Sequence, residues 1–409
     1  MKLNTHKFFS FYKLHFLLTA LFLYLLFAAN WIPEERILEH SNLSLQFLSE
    51  NPKNDYYPSD LPPMDNESGL LSSLTPNPEY STLWNTLLGA DQGYRWNGMQ
   101  TLLRPLLVFF HIGQIRYLCA VAFFLLLFGA AWKIGTKLSP GFGFFFLFSF
   151  LWADILPISY HLQHVGCFFI VFFAILLLLV KNPVFWKENA HGLTLIFYGI
   201  GAVTAFIDSM TIPVITLAIP LTIVFLSIQK YRQGSGSFKS VALCTFSWGL
   251  GYLFLVFTKW LLTVLLTGKN LFPEYASRIS EECFSSIHSL AQLKQLYYEN
   301  LNSFLSPAGF GMKNLLFLTL IFVGIYMILF FTGHKSPGGY AAFLPLIYIG
   351  FLPFLFYLLT PAHALLHTGT TFRGLIGTLY PFILFFFCIL DTQRIKQSFH
   401  AGWKLFWRN

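Results

Sequence analysis

The sequence predicts an all-α polytopic membrane bundle of about ten transmembrane helices, with residues 1–409 forming a single integral membrane domain. Three observations carry this. Hydrophobic residues make up 55% of the chain and charged residues 11%, with mean hydropathy +0.59, whereas a soluble globular chain carries about 25% charged residues. Apolar runs of about 20 residues, the length that crosses a hydrocarbon core of about 30 Å, recur from end to end. Lys and Arg are also sorted between alternate loops, as membrane insertion requires.

The runs fall at 11–31, 113–132, 140–157, 164–180, 192–208, 210–228, 240–266, 314–332, 339–360 and 374–390. Lys2, Lys7 and Lys13 accompany the first, which is too long for a typical signal-peptide core and reads as an uncleaved anchor. With the N-terminus placed in the cytoplasm, the inner loops and termini hold 15 of the 26 Lys and Arg but only Glu188 and Asp391 among the 18 acids. Both termini are therefore expected inside a plasma membrane. The net charge of +8 then reflects topology rather than a nucleic-acid partner. Five cysteines suggest no disulfide framework: four lie in apolar runs and Cys283 in a loop.

Two connections are long, 32–112 and 267–313, and both are expected on the outer face. In the first, residues 40–79 are rich in Pro, Asn, Ser and Asp and read as irregular. Residues 80–110 recover helical spacing (Leu83, Trp84, Leu87, Leu88, then Trp96, Met99, Leu103, Leu107), predicting one or two amphipathic helices in the headgroup layer. A similar stretch covers Ile287–Leu301.

Ionisable residues gather at the outer boundary. Asp154 lies near the outer end of the third span, and His161 and His164 in the outer turn after it; Asp208 ends the fifth; Lys259 lies in the outer half of the seventh; His363, His367 and Arg373 lie between the last two; Arg95 and Arg104 precede the second. Each charge at mid-bilayer costs roughly 2.5–3.5 kcal/mol, so a shared hydrated cavity is favoured over separate exposure to lipid. Arginine forks and a lysine suit a phosphate or pyrophosphate, the acids suit sugar hydroxyls or a general base, and the 49 Phe suit a prenyl tail as well as plain packing. A lipid-phosphate sugar combines all three.

The layout of a short first span, a long outer loop with amphipathic helices and an outer-leaflet cavity resembles the GT-C class of polytopic glycosyltransferases. More narrowly, Tyr94-Arg95-Trp96-Asn97-Gly98 followed by Leu103-Arg104-Pro105-Leu106-Leu107 resembles a motif of bacterial membrane proteins of that class. Ala202–Pro220, with Thr204, Asp208, Thr211 and Pro213, and His363–Arg373 are similar as well. The resemblance implies transfer of a sugar from a polyprenyl-phosphate donor to a glycan, lipid or protein acceptor on the extracellular or periplasmic face. It implies an acidic base near the end of the first span; Glu34 and Glu35 occupy that place and Asp91 is a second candidate, although the Asp-Glu or Asp-x-Asp pair that would match the class more closely is absent there. Arg104 and Arg373, with Lys259, would then hold the donor phosphate, and Asp154 or Asp208 would orient the sugar or balance the arginines.

Other readings compete. His161 and His164, and His363 and His367, have helical spacings that could present ligands to a divalent metal. A transporter or flippase for lipid-linked saccharides should show repeated halves and mid-membrane polar sites; no repeat is visible. A polysaccharide polymerase or ligase would share the outer basic residues. No Walker A loop and no G-x-S-x-G elbow occurs.

Overall fold

The structure is a computed structural model that describes residues 5–50, 70–71, 74, 77, 79–89, 93–180, 190–207, 211–231, 237–284, 289–305, 322–324, 326–328, 331, 340–390 and 397. Among these residues it is helical throughout, with no strand. The helices are α1 (Thr5–Asn30), α2 (Glu34–Glu50), α3 (Thr82–Leu87), α4 (Gln100–Leu107), α5 (Ile112–Lys137), α6 (Pro140–Trp152), α7 (Leu156–Ser159), α8 (Val165–Val180) and α9 (Ala190–Ile207). They continue as α10 (Ile215–Tyr231), α11 (Ser237–Thr267), α12 (Phe272–Phe284), α13 (Leu290–Leu305), α14 (Leu344–Leu359), α15 (Pro361–Leu366), α16 (Thr368–Thr371) and α17 (Ile376–Ile389). Among the described residues, six segments are long and apolar enough to cross a membrane: Ser10–Asn30, Ile112–Lys137, Ala190–Ile207, Phe238–Thr267, Ala341–Leu359 and Thr368–Ile389. Pro140–Trp152, Val165–Val180 and Ile215–Lys230 are shorter apolar helices. The chain is thus an integral membrane protein. Most of the run at 314–332 lies outside the described residues.

At the centre stands α10, buried continuously from Ile215 to Ile228. A helix apolar on every side belongs in a core, and α8, α9, α11, α14 and α17 all pack against it. Its few hydroxyls turn onto their own backbone: Thr222 donates to Ala218 O and Ser227 to Ile223 O. Around it, α9 and α11 cross at glycines. A Cβ on Gly201 would lie 2.0 Å from Trp248 O, and one on Gly251 would lie 2.0 Å from Tyr198 O. Small residues allow helix backbones in a membrane to approach this closely, where dispersion replaces the hydrophobic drive.

Two segments differ from the sequence expectation. Residues 40–50, expected to be irregular, form the body of α2. Its buried stripe is thin (Ile37, Ser44, Leu48), but Ser44 accepts from the Ile112 N–H at 2.8 Å while donating to His40 O at 2.5 Å, so α2 caps the start of α5. Within 80–110 the apolar positions form two short helices, α3 and α4, whose Leu87, Leu103 and Leu107 are packed into the protein. Residues 51–69 lie outside the described residues. None of the five cysteines is joined in a disulfide.

Candidate functional site

One end of the bundle holds a polar cavity of about 180 Å3, lined by Arg95, Gln163, His164, Thr211, Glu282, His363, Leu366, His367 and Thr370. Three separately held segments and the end of α12 build it.

The first is Gly93–Gly98, which is pinned mainly by α11. Trp96 is buried against Phe22 and Phe206, and its indole N–H donates to Leu255 O at 2.9 Å. Trp260 donates to Tyr94 O at 3.0 Å and its ring stacks on Tyr94. Asn97 adopts φ +53°, and Gly98 follows with its N–H on Phe206 O at 2.9 Å, satisfying a carbonyl in the last turn of α9. A Cβ at Gly98 would meet that same carbonyl at 2.4 Å, so glycine is required there. Between these anchors Arg95 reaches the cavity and pairs with Glu282 at 2.8 Å, both side chains about one-third exposed (34% each). The Tyr94 hydroxyl donates to the other Glu282 oxygen at 3.1 Å. Burial, reinforced by the Glu282 charge, raises the Tyr94 phenol above its ordinary range, so it stays a donor.

The second segment is the turn between α6 and α8. Asp154 ends α6 in the left-handed region (φ +49°), a conformation Asp tolerates better than most residues. His161 and His164 are buried, with rings stacked 4.2 Å apart. His164 is 1% exposed, and neither of its ring nitrogens has a hydrogen-bond partner. A buried imidazole facing a cavity with both nitrogens orphaned is costly unless a ligand completes it.

The third segment, Thr360–Leu375, joins α14 to α17. Asn300 of α13 fixes it by donating to Ala364 O at 3.0 Å and accepting from the Thr371 hydroxyl at 2.8 Å; Tyr357 donates to Thr371 O at 2.7 Å. Arg373, fully buried, ties it to the second segment, donating through Nε to Asp154 O at 3.0 Å and through Nη1 to Gly369 O at 2.5 Å, with Nη2 3.5 Å from the Asp154 carboxylate. The held turn presents His363 and His367, ring centroids 4.6 Å apart, to the cavity.

Of the residues expected to share one pocket, Arg95, His164, His363 and His367 do so. Asp154 and Arg373 pair behind it and brace two of its walls. Arg104 does not line it. That guanidinium is buried against the carbonyls of Ala29 (2.9 Å), Ile32 (2.8 Å) and Leu74, so it closes the C-terminus of α1, where helix carbonyls lack partners. Lys259 is likewise occupied elsewhere, donating to Thr86 O at 3.3 Å with its ammonium 5.2 Å from the Trp96 ring centroid. Glu34 and Glu35 are exposed in the first turn of α2, where carboxylates favour the helix dipole, and they do not line the cavity. Asp91 and Asp208 lie outside the described residues. No cluster of three or more His, Cys, Asp or Glu that could hold a metal is found among the described residues.

The acid at the cavity is Glu282, which sequence reasoning passed over within Ser280-Glu281-Glu282-Cys283. The available signal was the buried stripe of α12: Tyr275 and Cys283, two turns apart, turn inward and carry the neighbouring Glu282 to the rim. No protein-family profile, curated protein or solved structure matches the chain.

Proposed function

We propose that the protein is a membrane glycosyltransferase of GT-C-like type, taking a sugar from a polyprenyl-phosphate donor and passing it to a glycan, lipid or protein acceptor. The observation that carries the reading is the polar cavity at a bundle end, where a cation, a carboxylate and an orphaned buried imidazole converge. In this reading Arg95 turns from Glu282 to the donor phosphate. Glu282 takes the proton of the acceptor hydroxyl as its oxygen bonds to the anomeric carbon, and the carbon–phosphate-oxygen bond breaks toward phosphate. Arg95 stabilises the charge that grows on that leaving group. His164 and His367 hold sugar hydroxyls, and the pair Asp154–Arg373 keeps them in register. Thus the base role falls to Glu282 in place of Glu34 or Glu35.

The cavity volume favours a single-sugar donor over a lipid-linked oligosaccharide: about 180 Å3 lies below the roughly 300–1,000 Å3 of drug-sized ligand sites. That weighs against a polymerase, ligase or flippase handling whole saccharide chains. In this reading both termini lie in the cytoplasm, as the bias of Lys and Arg among the loops favours, and the cavity opens on the extracellular or periplasmic side.

The test is turnover of polyprenyl-phosphate monosaccharides by the purified full chain in lipid vesicles. Arg95→Ala and Glu282→Gln are each expected to lower turnover by about 100-fold, within the range typical of a lost charge stabiliser or general base. Unchanged turnover in both variants, or no turnover with any lipid-phosphate sugar, overturns the proposal.

A further inference from the structure

Away from the polar cavity, toward the opposite ends of α1 and α9, a separate pocket of about 490 Å3 lies between α1, α9 and α11. Phe11, Tyr12, Phe246 and Phe254 supply much of its wall, and no Lys, Arg, Asp or Glu lines it. Phe11 stands edge-on to Tyr198 and to His191, with ring centroids 5.5 Å apart in both pairs. Tyr198 lies eight residues inside α9, about 12 Å from its start at 1.5 Å per residue. In a hydrocarbon core of about 30 Å that is well below the headgroups, where an ionised ligand group is expensive.

The polar atoms of this pocket have fixed roles. The Thr258 hydroxyl donates to Phe254 O at 2.7 Å. Its one proton is thereby spent, so in its 2.9 Å contact with His15 Nε2 it accepts. No carboxylate lines the pocket to hold an imidazolium, so His15 is neutral and its Nδ1 accepts from the Tyr198 hydroxyl at 2.8 Å. The phenol has given up its proton and offers a ligand only an acceptor oxygen. The Thr194 hydroxyl is spent on His191 O at 2.8 Å. Ser247 differs. It is 5% exposed, it lines the pocket, and its hydroxyl makes no hydrogen bond among the described residues. A hydroxyl buried in that state is costly until a ligand completes it.

Ser247 has a proton to give and Tyr198 has an oxygen that needs one. A ligand oxygen that serves both must accept and donate. A hydroxyl does so; a ketone, quinone or ester only accepts, and a phosphate brings charge. We infer that this pocket binds a neutral lipid alcohol, whose hydroxyl accepts from Ser247 and donates to Tyr198 while its apolar body lies among the aromatic rings. The volume falls within the roughly 300–1,000 Å3 of small-molecule sites. Binding here does not depend on the transferase reading, because the pocket shares no residue with the polar cavity.

The experiment uses the full chain in phosphatidylcholine vesicles. The probes are a diazirine-tagged sterol, its methyl ether, its ketone, and a diazirine-tagged diacylglycerol with its methyl ether; cross-links are mapped by mass spectrometry. At least one alcohol is expected to label 11–15, 190–198 and 243–254 at least tenfold more than its own methyl ether, and the ketone should label as weakly as the ether. Whether the sterol or the diacylglycerol does so identifies the source of the hydroxyl. Ser247→Ala, and independently Thr194→Phe, which fills the pocket, should cut the labelling about tenfold. Thr245→Ala removes a hydroxyl from the same helix outside the lining; it should leave the labelling unchanged and so controls for folding. Equal labelling by alcohol, ether and ketone, or labelling by the alcohol that persists in Ser247→Ala, overturns the inference, as does an absence of labelling by both alcohols.

Discussion

Replacing Gly201 by alanine places one carbon 2.0 Å from the Trp248 carbonyl oxygen and 2.9 Å from its carbonyl carbon, both in the backbone of α11. Contacts of a real Cβ essentially never fall below 3.0 Å, so α9 and α11 must part by about 1 Å or more at the crossing. Backbone cannot rotate away as a side chain can. Overpacking of this kind costs about 1–3 kcal/mol, to which the lost Cα–H···O contacts at the crossing add about 0.5–1 kcal/mol each. Against this, Gly→Ala inside a helix gains up to about 1 kcal/mol in propensity. The net expectation for Gly201→Ala is a destabilisation of about 1–2 kcal/mol. Gly199→Ala and Gly249→Ala, on the same two helices but with nothing within 4 Å of the added carbon, should be neutral or stabilising. Unfolding of the purified protein in mixed micelles by increasing sodium dodecyl sulfate measures all three. Because Gly251 meets Tyr198 O reciprocally, Gly201→Ala and Gly251→Ala should couple: once the helices have separated, the second substitution costs less than it does alone. Equal stability of Gly201→Ala and Gly199→Ala within about 0.5 kcal/mol, or strict additivity of the pair, would refute the close-crossing argument.

Three further outcomes are expected. Arg104→Lys should lower the thermal midpoint while leaving the apparent KM for donor unchanged, since a lysine cannot serve three carbonyls at once; at about 1.5–3 kcal/mol per charged hydrogen bond, losing two costs several kcal/mol, and an intact midpoint would remove its capping role. Arg95→Ala should lower turnover by about 100-fold with a stability change below about 1 kcal/mol, because its partner Glu282 is partly exposed and such pairs contribute little; a large loss of stability would mark the pair as structural. His164→Leu should leave the protein as stable or more so while weakening donor binding, since it removes an orphaned buried imidazole; a fall of several degrees in the midpoint would argue against a ligand-facing histidine.

Six of the ten expected runs were legible as helices long and apolar enough to span, because bilayer thickness imposes a length and a polarity that leave little choice; the third, fourth and sixth runs appear as the shorter apolar helices α6, α8 and α10, and the ninth, expected at 339–360, as Tyr340–Leu359 in a 3-10 turn and α14. What escaped the sequence was direction. Arg104 looks the same in a sequence whether it faces a phosphate or the end of α1, and only coordinates supply the carbonyls. Helix α2 was hidden by composition, because the Pro- and Asn-rich residues that follow it coloured the whole window while its buried stripe amounts to Ile37, Ser44 and Leu48. Glu282 was hidden by its neighbours, one acid in a polar run on a helix whose buried face is only Tyr275 and Cys283. The boundary histidines were found because a titratable ring next to a long apolar run is expensive to leave unexplained, and three of the four line the cavity.

The central helix α10 carries a consequence for how the chain is made. Over Ile215–Ile228 it touches protein on all sides, yet two of the helices that enclose it, α14 and α17, are synthesised more than a hundred residues later. Until they arrive, one flank of α10 must borrow lipid as a temporary neighbour. Completion of the protein therefore strips solvating lipid from a helix already inserted, so a chain cut short after α13 would present the bilayer with a surface meant for α14 and α17, a natural mark for quality control to read.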